Sequence, residues 1–500
     1  MDLFSFDWAS LFTLQNLLAV VLGGVFGMII GALPGLGPTV GCALLIPITY
    51  KLDAIPAVLM LMSLYMSSQY GGSITSILLG IPGTPGAVAT VLDGNPIAKA
   101  GYPGKALGYS LYASTVGGLF GVAVLFVLTK PLAVVAVKLS DPELVLIGII
   151  GIMSVAALGS ENPWKCAVSV VLGLLLGTIG LDKFAGSYRY TFGNVYLGEG
   201  LSLVTLLGGF FALSEVFEMC IGDLSKRYVT NYKNLKCHVS LKEFFEQKFN
   251  LLRSSVIGTV FGIIPGLGGG AATWFAYTQA KNSSKKPELF GNGSPEGLSA
   301  AESSNNAAVG GGMVPALALG IPGTAAISIV MCVLMSKGIQ PGPNLFNSNP
   351  TLVYCVYWGL LFATIVMFVF GKYLTSFFAK ILVCPNYVLC PIIVAMLLIG
   401  AAVDRGYIMD IWMAVAAGVL VFFLKRLEFS LTAFTLAFVL AGLIEERFRR
   451  SLLLSQGSFS IFFNRPLAIV LWILMAVMLI SIVRNNRKKS AENAKTKPSV

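Results

Sequence analysis

The sequence predicts an all-α polytopic membrane protein with about 10–14 transmembrane helices, arranged as two inverted-topology repeats with re-entrant hairpins. Three observations carry that prediction. Hydrophobic residues make up 56% of the 500 positions, charged residues only 11%, and mean hydropathy is +0.81; an ordinary soluble domain carries roughly 25% charged residues. The apolar residues fall in continuous runs rather than alternating with period two, which argues against a closed β-barrel. A set of glycine–proline motifs occurs twice, in the same order. A soluble chain could not hide this much apolar surface, so a soluble enzyme, a secreted disulfide scaffold and a disordered chain are all disfavoured.

A helix crosses the bilayer with about 20 apolar residues. Apolar stretches lie near 11–33, 54–79, 106–129, 143–160, 164–181 and 200–217, and again near 254–280, 306–335, 351–379, 386–403, 410–424, 431–444 and 466–483. Met1–Ser10 holds Asp2 and Asp7 but no lysine or arginine, so it lacks the positive n-region of a secretory signal. The first stretch therefore reads as a retained helix with its N-terminus outside. The net charge of +11 sits beside the spans: Lys226, Arg227, Lys233, Lys236, Lys242, Lys248 and Arg253 in one loop region, Arg484, Arg487, Lys488, Lys489, Lys495 and Lys497 in the tail. Basic residues flanking spans mark the cytoplasmic side, and this placement argues for a lipid bilayer and against nucleic acid. None of the eight cysteines forms CxxC, and the single His238 excludes an HExxH site or a multi-histidine metal centre. No metal and no cofactor is expected.

The internal duplication is the clearest signal. Gly31-Ala32-Leu33-Pro34-Gly35-Leu36-Gly37 matches Gly262-Ile263-Ile264-Pro265-Gly266-Leu267-Gly268 at an offset of 231. Gly80-Ile81-Pro82-Gly83-Thr84 matches Gly320-Ile321-Pro322-Gly323-Thr324 at an offset of 240, with Gly71-Gly72 and Gly311-Gly312 upstream of each. The expected organisation is a membrane repeat over 1–221, a basic cytoplasmic linker over 222–250, a second repeat over 251–450, an additional helix within 451–483 and a basic cytoplasmic tail over 484–500. With the N-terminus outside and the linker inside, the second repeat starts on the opposite side from the first, which is an inverted repeat. Arg447, Arg449, Arg450 and Arg465 would then lie near the outer face, against the positive-inside trend.

Paired helix interruptions point to a transport site. Pro34, Pro82, Pro265 and Pro322, with Gly35, Gly37, Gly266 and Gly268, break helices inside apolar stretches. Backbone groups exposed there must face protein or a wet cavity. The plain alternative is that PGLG makes only a tight turn. For IPGT the expectation is a hairpin of one short helix in, a tip, and a second helix out, with the two tips meeting near mid-membrane. Helix N-terminal N–H groups favour anions. Ser67, Ser68, Gly83, Thr84, Asn305, Asn306, Gly323 and Thr324 are the expected substrate-binding residues, against the alternative that small polar residues only let helices pack closely. Glu302, beside the asparagine pair, is the candidate for ion coupling; Asp93, Glu161, Asp182, Glu215 and Asp404 read mostly as interfacial-loop residues. Gly266–Ala271 fits GxGxxA, but without a preceding strand it is no dinucleotide site. No Walker loop is present, so transport would draw on an ion gradient or an external partner.

These motifs resemble the large permease of tripartite tricarboxylate transporters, the TctA family. The resemblance rests on GALPGLG, on the IPGTPG run at 81–86, and on Asp93 through Lys99. It continues through Gly180-Leu181-Asp182 with Tyr190-Thr191-Phe192-Gly193, Phe211 through Val216, and Pro295-Glu296-Gly297. It closes with Glu302 through Ala307, Leu319 through Thr324, and Gln340-Pro341-Gly342-Pro343. Ser304 and Lys183 depart from the family's usual alanine and proline. The resemblance implies a multi-pass permease of the bacterial inner membrane that takes up carboxylates such as citrate, coupled to H+ or Na+. It also implies two partners, a periplasmic solute-binding protein and a small four-helix membrane subunit. The expected activity is therefore secondary transport, not enzymatic. The alternative is an exporter or channel for carboxylates or other organic anions that works without a binding protein.

Overall fold

The computed structural model describes residues 8–480 except 34–35, 160–162, 183, 223–234, 238 and 382–384. Pro34, Gly35, Glu161, Lys183 and His238 therefore lie outside the described residues, as do most of the basic linker and the whole tail. In chain order the main helices are α1 (Leu14–Ala32), α2 (Pro38–Thr49), α3 (Ala54–Leu79), α4 (Val88–Lys99), α5 (Pro103–Val137), α6 (Asp141–Gly159) and α7 (Pro163–Gly177). A two-stranded ribbon follows, β1 (Gly180–Leu181) and β2 (Tyr188–Arg189). Then come α8 (Leu203–Ile221), α9 (Lys248–Ile263), α10 (Gly268–Ser283), α11 (Pro295–Leu319) and α12 (Ala325–Ser336). The last are α13 (Pro350–Ile381), α14 (Asn386–Arg405), α15 (Ile408–Arg426), α16 (Leu431–Leu454) and α17 (Pro466–Ile480). Among the described residues, α1, α5, α8, α13, α14 and α15 are long and apolar enough to cross a membrane; α2, α7, α12 and α17 contribute shorter apolar helices. The chain is an all-α polytopic membrane protein.

The chain forms two compact units that do not follow the two halves of the sequence. One comprises 1–134 and 202–423, the other 135–201 and 424–500.

In the first unit, α1 and α3 run parallel with their backbones in contact. Side-chain carbons on Gly23, Gly27 and Gly31 would run into Met60, Leu64 and Ser68 of α3. Glycine at every fourth position allows this approach, which larger residues would prevent. The same seam recurs between α9 and α11, where Gly258 meets Ser304 and Gly262 meets Ala308. Gly27 and Gly258 differ by 231 and Leu64 and Ser304 by 240, the offsets of the sequence motifs. Yet α11 runs antiparallel to α3. Asn306 bonds to Met66, Ser73 bonds to Glu302, and Gly94 of α4 lies against Leu298. As numbers rise along α3 and α4 they fall along α11.

The second unit joins α6, α7, the ribbon, α16 and α17. Gly173 of α7 lies against the backbone of Phe434 on α16. The four arginines that strain the positive-inside pattern are here. Arg447 pairs with Asp141 at 2.6 Å, Arg449 with Asp182 at 2.8 Å, Arg450 with Glu446 at 3.1 Å and Arg465 with Glu143 at 3.1 Å. Arg189 adds a two-pronged bond to Glu445 at 2.6 and 3.2 Å. Five guanidiniums thus meet five carboxylates, and the cluster brings no net charge to either side.

Candidate functional site

The functional region grows out of how α3 and α11 end. Both stop at a glycine in the left-handed region, Gly80 at φ +71° and Gly320 at φ +75°, where a side chain would be strained. The chain then doubles back along the helix it has left. Gly83 returns to the level of Gly72, where an added side-chain carbon would lie 2.7 Å from the Gly72 Cα. Gly323 returns to Gly312 with the same 2.7 Å spacing. Only there do α4 and α12 begin, each of 12 residues, and α4 retraces the path of α3, with Asn95 donating to the Ile77 carbonyl at 3.0 Å.

This differs from the expected hairpin of one short helix in, a tip and a second helix out. The entering helices are 26 and 25 residues long, and the break comes as an extended return segment. Within these polar runs some hydroxyls are satisfied on carbonyls one turn earlier, as Ser68 is on Tyr65 and Ser304 on Ala301.

Two further half-length helices start at the same junction. Gly37, at the head of α2, lies beside Pro85. Gly268, at the head of α10, lies beside Thr324, and the Gly266 N–H donates to the Gly323 carbonyl at 2.8 Å. Four helix N-termini, those of α2, α4, α10 and α12, are therefore gathered at one junction in the first unit. Each presents the positive end of its dipole. None of the residues placed at the junction is a lysine or arginine.

Asn305 of α11 closes the junction between the two halves. Side-chain carbons on Gly86 and Gly269 would run into its amide. It is fully buried, and neither its Nδ2 nor its Oδ1 has a hydrogen-bond partner. The buried Thr84 hydroxyl also lacks a partner. Such groups are costly unless something pairs with them. Thr324 caps α12, accepting from the Ile327 N–H at 3.3 Å, and the Tyr65 hydroxyl of α3 lies near its side chain.

The remaining expected residues lie elsewhere on the same helices. Ser67 faces Gly24 of α1 and Ser68 bonds the Tyr65 carbonyl of its own helix at 2.9 Å. Asn306 points away from Asn305. Its Nδ2 donates to the Met66 carbonyl at 3.1 Å and touches the Met66 and Met367 sulfurs, tying α11 to α3 and α13. Pro82 is exposed, Pro322 buried and Pro265 half-buried.

Glu302 is fully buried one turn from Asn306. Ser73 of α3 donates to both its oxygens at 2.7 Å, Ser114 of α5 to one at 2.9 Å, and Thr90 of α4 through a short bond. Ser110 lies alongside. Among the described residues no lysine or arginine pairs with it. Hydroxyls on three helices thus stand in for a counter-charge. The sequence singles out the acid but not its cradle, whose only signal is hydroxyls at scattered positions in apolar helices.

Asp93 corrects the sequence reading of an interfacial-loop acid. It lies buried in α4, where one carboxylate oxygen accepts from the backbone N–H groups of Gly291, Gly293 and Ser294 at 2.8, 3.0 and 2.8 Å. It thereby ties α4 to the start of α11. Asp404 ends α14 and accepts from Tyr50, Ser202 and Thr205.

Residues 17–436 match the profile of the family described as "Tripartite tricarboxylate transporter TctA family". The chain belongs to the TctA family. It is 32% identical over 486 residues, covering 97% of both chains, to an Agrobacterium vitis protein described as "Uncharacterized 52.8 kDa protein in TAR-I ttuC' 3'region". A second Agrobacterium vitis protein, "Uncharacterized protein in TAR-II ttuC' 3'region", is 31% identical over 211 residues, 42% of this chain and 87% of that one. No solved structure matches the chain. TctA membership supports a tricarboxylate-transporter-type permease and points to a transporter rather than an enzyme.

Proposed function

We propose that this TctA-family chain is the permease of a tripartite system for carboxylate uptake across a bacterial inner membrane, and that the substrate binds at the junction of α2, α4, α10 and α12. The observation that carries the reading is the unpartnered Asn305 amide and Thr84 hydroxyl, buried where four helix N-termini gather without a basic side chain. A carboxylate accepts hydrogen bonds and is drawn to positive helix ends. The Asn305 Nδ2 and Thr84 hydroxyl would donate to it, while the Asn305 Oδ1 would accept from a substrate hydroxyl or an uncharged carboxyl group.

A periplasmic solute-binding protein would deliver the substrate, and a small four-helix membrane subunit would complete the assembly. Glu302 would carry the coupling ion, H+ or Na+, because a buried carboxylate without a fixed counter-ion is a ready acceptor for a cation. The antiparallel run of α3 and α11 supports an inverted repeat, in which rocking the two halves exposes one site to either side. In the first unit, Tyr50, Lys337 and Asp404 share one end. The Lys105–Glu243 pair marks the other end, near the basic linker. Basic loops favour the cytoplasm, which puts the N-terminus outside and the tail inside.

Uptake of a labelled tricarboxylate tests the reading in cells that express all three components. Asn305→Ala with Thr84→Val should abolish uptake while the chain still inserts in the membrane. Undiminished uptake would remove the junction as the site. Flux through the reconstituted permease alone, with no binding protein added, would point instead to a channel or exporter.

A further inference from the structure

The ribbon of the second unit carries a feature that carboxylate transport does not explain. Between β1 and the end of its loop, Phe192 is 91% exposed, Val195 86% and Tyr188 67%. Tyr190 and Phe192 both sit in the left-handed region, at φ 53° and 51°, a backbone conformation strained for bulky residues. The ribbon itself is fixed. Asp182 accepts from the Phe184 and Ala185 N–H groups at 2.9 and 3.1 Å and pairs with Arg449, and Arg189 of β2 holds Glu445 with two bonds. A rigid base thus presents a strained aromatic tip to its surroundings.

We propose that this ribbon is an interfacial finger whose Tyr190, Phe192 and Val195 seat in the headgroup–acyl boundary of the phospholipid bilayer. Three observations favour lipid as the occupant. The ribbon leaves α7 directly, and α7 exposes Trp164, Val168, Val171 and Leu175 at spacings of 4, 3 and 4, one apolar stripe on one helix face. Leu181 and Tyr188, paired across the two strands, are both exposed and lie on one face, which carries the apolar surface from helix into ribbon. The arginines at its base are paired with carboxylates, and the tip over 190–195 offers tyrosine, phenylalanine and valine with no charged residue among them. Amphipathic aromatic rings are enriched at the membrane–water interface.

The test places the photo-crosslinker p-benzoylphenylalanine at Phe192, and separately at Val195, in the full-length chain in native membranes. Position 164 on the α7 stripe calibrates lipid labelling. After irradiation, the tip positions should give a mass increase of one phospholipid at a yield within threefold of position 164. A cross-linked band containing a second protein would overturn the proposal in favour of a docking face. A tip yield below one tenth of the calibrant would overturn it in favour of a tip standing in water. The two tip positions are independent, so failure of one variant to accumulate leaves the other to decide.

Discussion

Tyr65 of α3 and Asn305 of α11 hold equivalent stations, 240 residues apart, each beside the hairpin of the opposite half. The Tyr65 hydroxyl lies near Thr324, whereas the buried Asn305 amide has no hydrogen-bond partner among the described residues. Glu302 has Met62 at its equivalent station, again 240 residues earlier. Both halves carry glycine seams, left-handed helix ends and helices starting at one junction. Only one of them carries the open amide and the caged acid. The junction is thus alike in its helix ends and unlike in its side chains.

Substitutions at paired stations can break that comparison. The largest effect is expected for Asn305→Ala, which should lower uptake about 100-fold, roughly the worth of one to two charge-assisted hydrogen bonds. Tyr65→Phe should stay within threefold. Equal losses at both stations would show that the asymmetry has no role in transport.

Glu302→Gln keeps the shape of the acid inside its hydroxyl cradle and removes its charge. Substrate exchange across proteoliposomes should persist, while accumulation against a gradient should fall about 10-fold, as expected when a coupling site is lost. Unchanged accumulation would free Glu302 from coupling.

The glycine contacts should respond alike in both halves. Gly83→Ala and Gly323→Ala each force a methyl group into backbone, at about 1–3 kcal/mol. Both variants should lower the thermal midpoint in detergent by similar amounts. A large drop in one and none in the other would break the equivalence of the hairpins.

The smallest effect is expected in the second unit, which serves as a control. The Phe184 and Ala185 N–H groups, with Arg449, hold the Asp182 carboxyl below the usual carboxylate range. A carboxyl whose folded pKa is depressed stabilises the fold above its unfolded value of about 3.9, and that contribution is lost as the pH falls through the folded value. Asp182→Asn should therefore flatten the fall in thermal midpoint below about pH 4 while leaving uptake intact. An unaltered acid profile would show that the cluster does not stabilise the fold through this carboxyl.

Much of this was legible in the sequence because helix breaks need particular residues. A left-handed helix end selects glycine, so Gly80 and Gly320 could be read as stops, and Asn305 stood out as an amide in an apolar run. Side-chain direction was not legible. Asn305 and Asn306 are neighbours, but adjacent helical residues point about 100° apart, so one faces the junction and the other ties three helices together. Ser67 and Ser68 also point apart, but neither reaches the junction: Ser67 faces Gly24 of α1 and Ser68 bonds its own helix. The partners of Asp93 and Glu302 lie about 200 residues away in sequence, and nothing local announces them.

That separation has a consequence for how the chain is made. Asp93 leaves the ribosome 201 residues before Ser294, the last of its N–H partners. At about 5–20 residues per second, the carboxyl spends roughly 10–40 s without them. Glu302 is in the reverse position, since Ser73, Thr90 and Ser114 all precede it. One acid is made long before its cap; the other arrives to find its cradle already synthesised. Synthesis of the second half thus supplies the backbone N–H groups that cap Asp93.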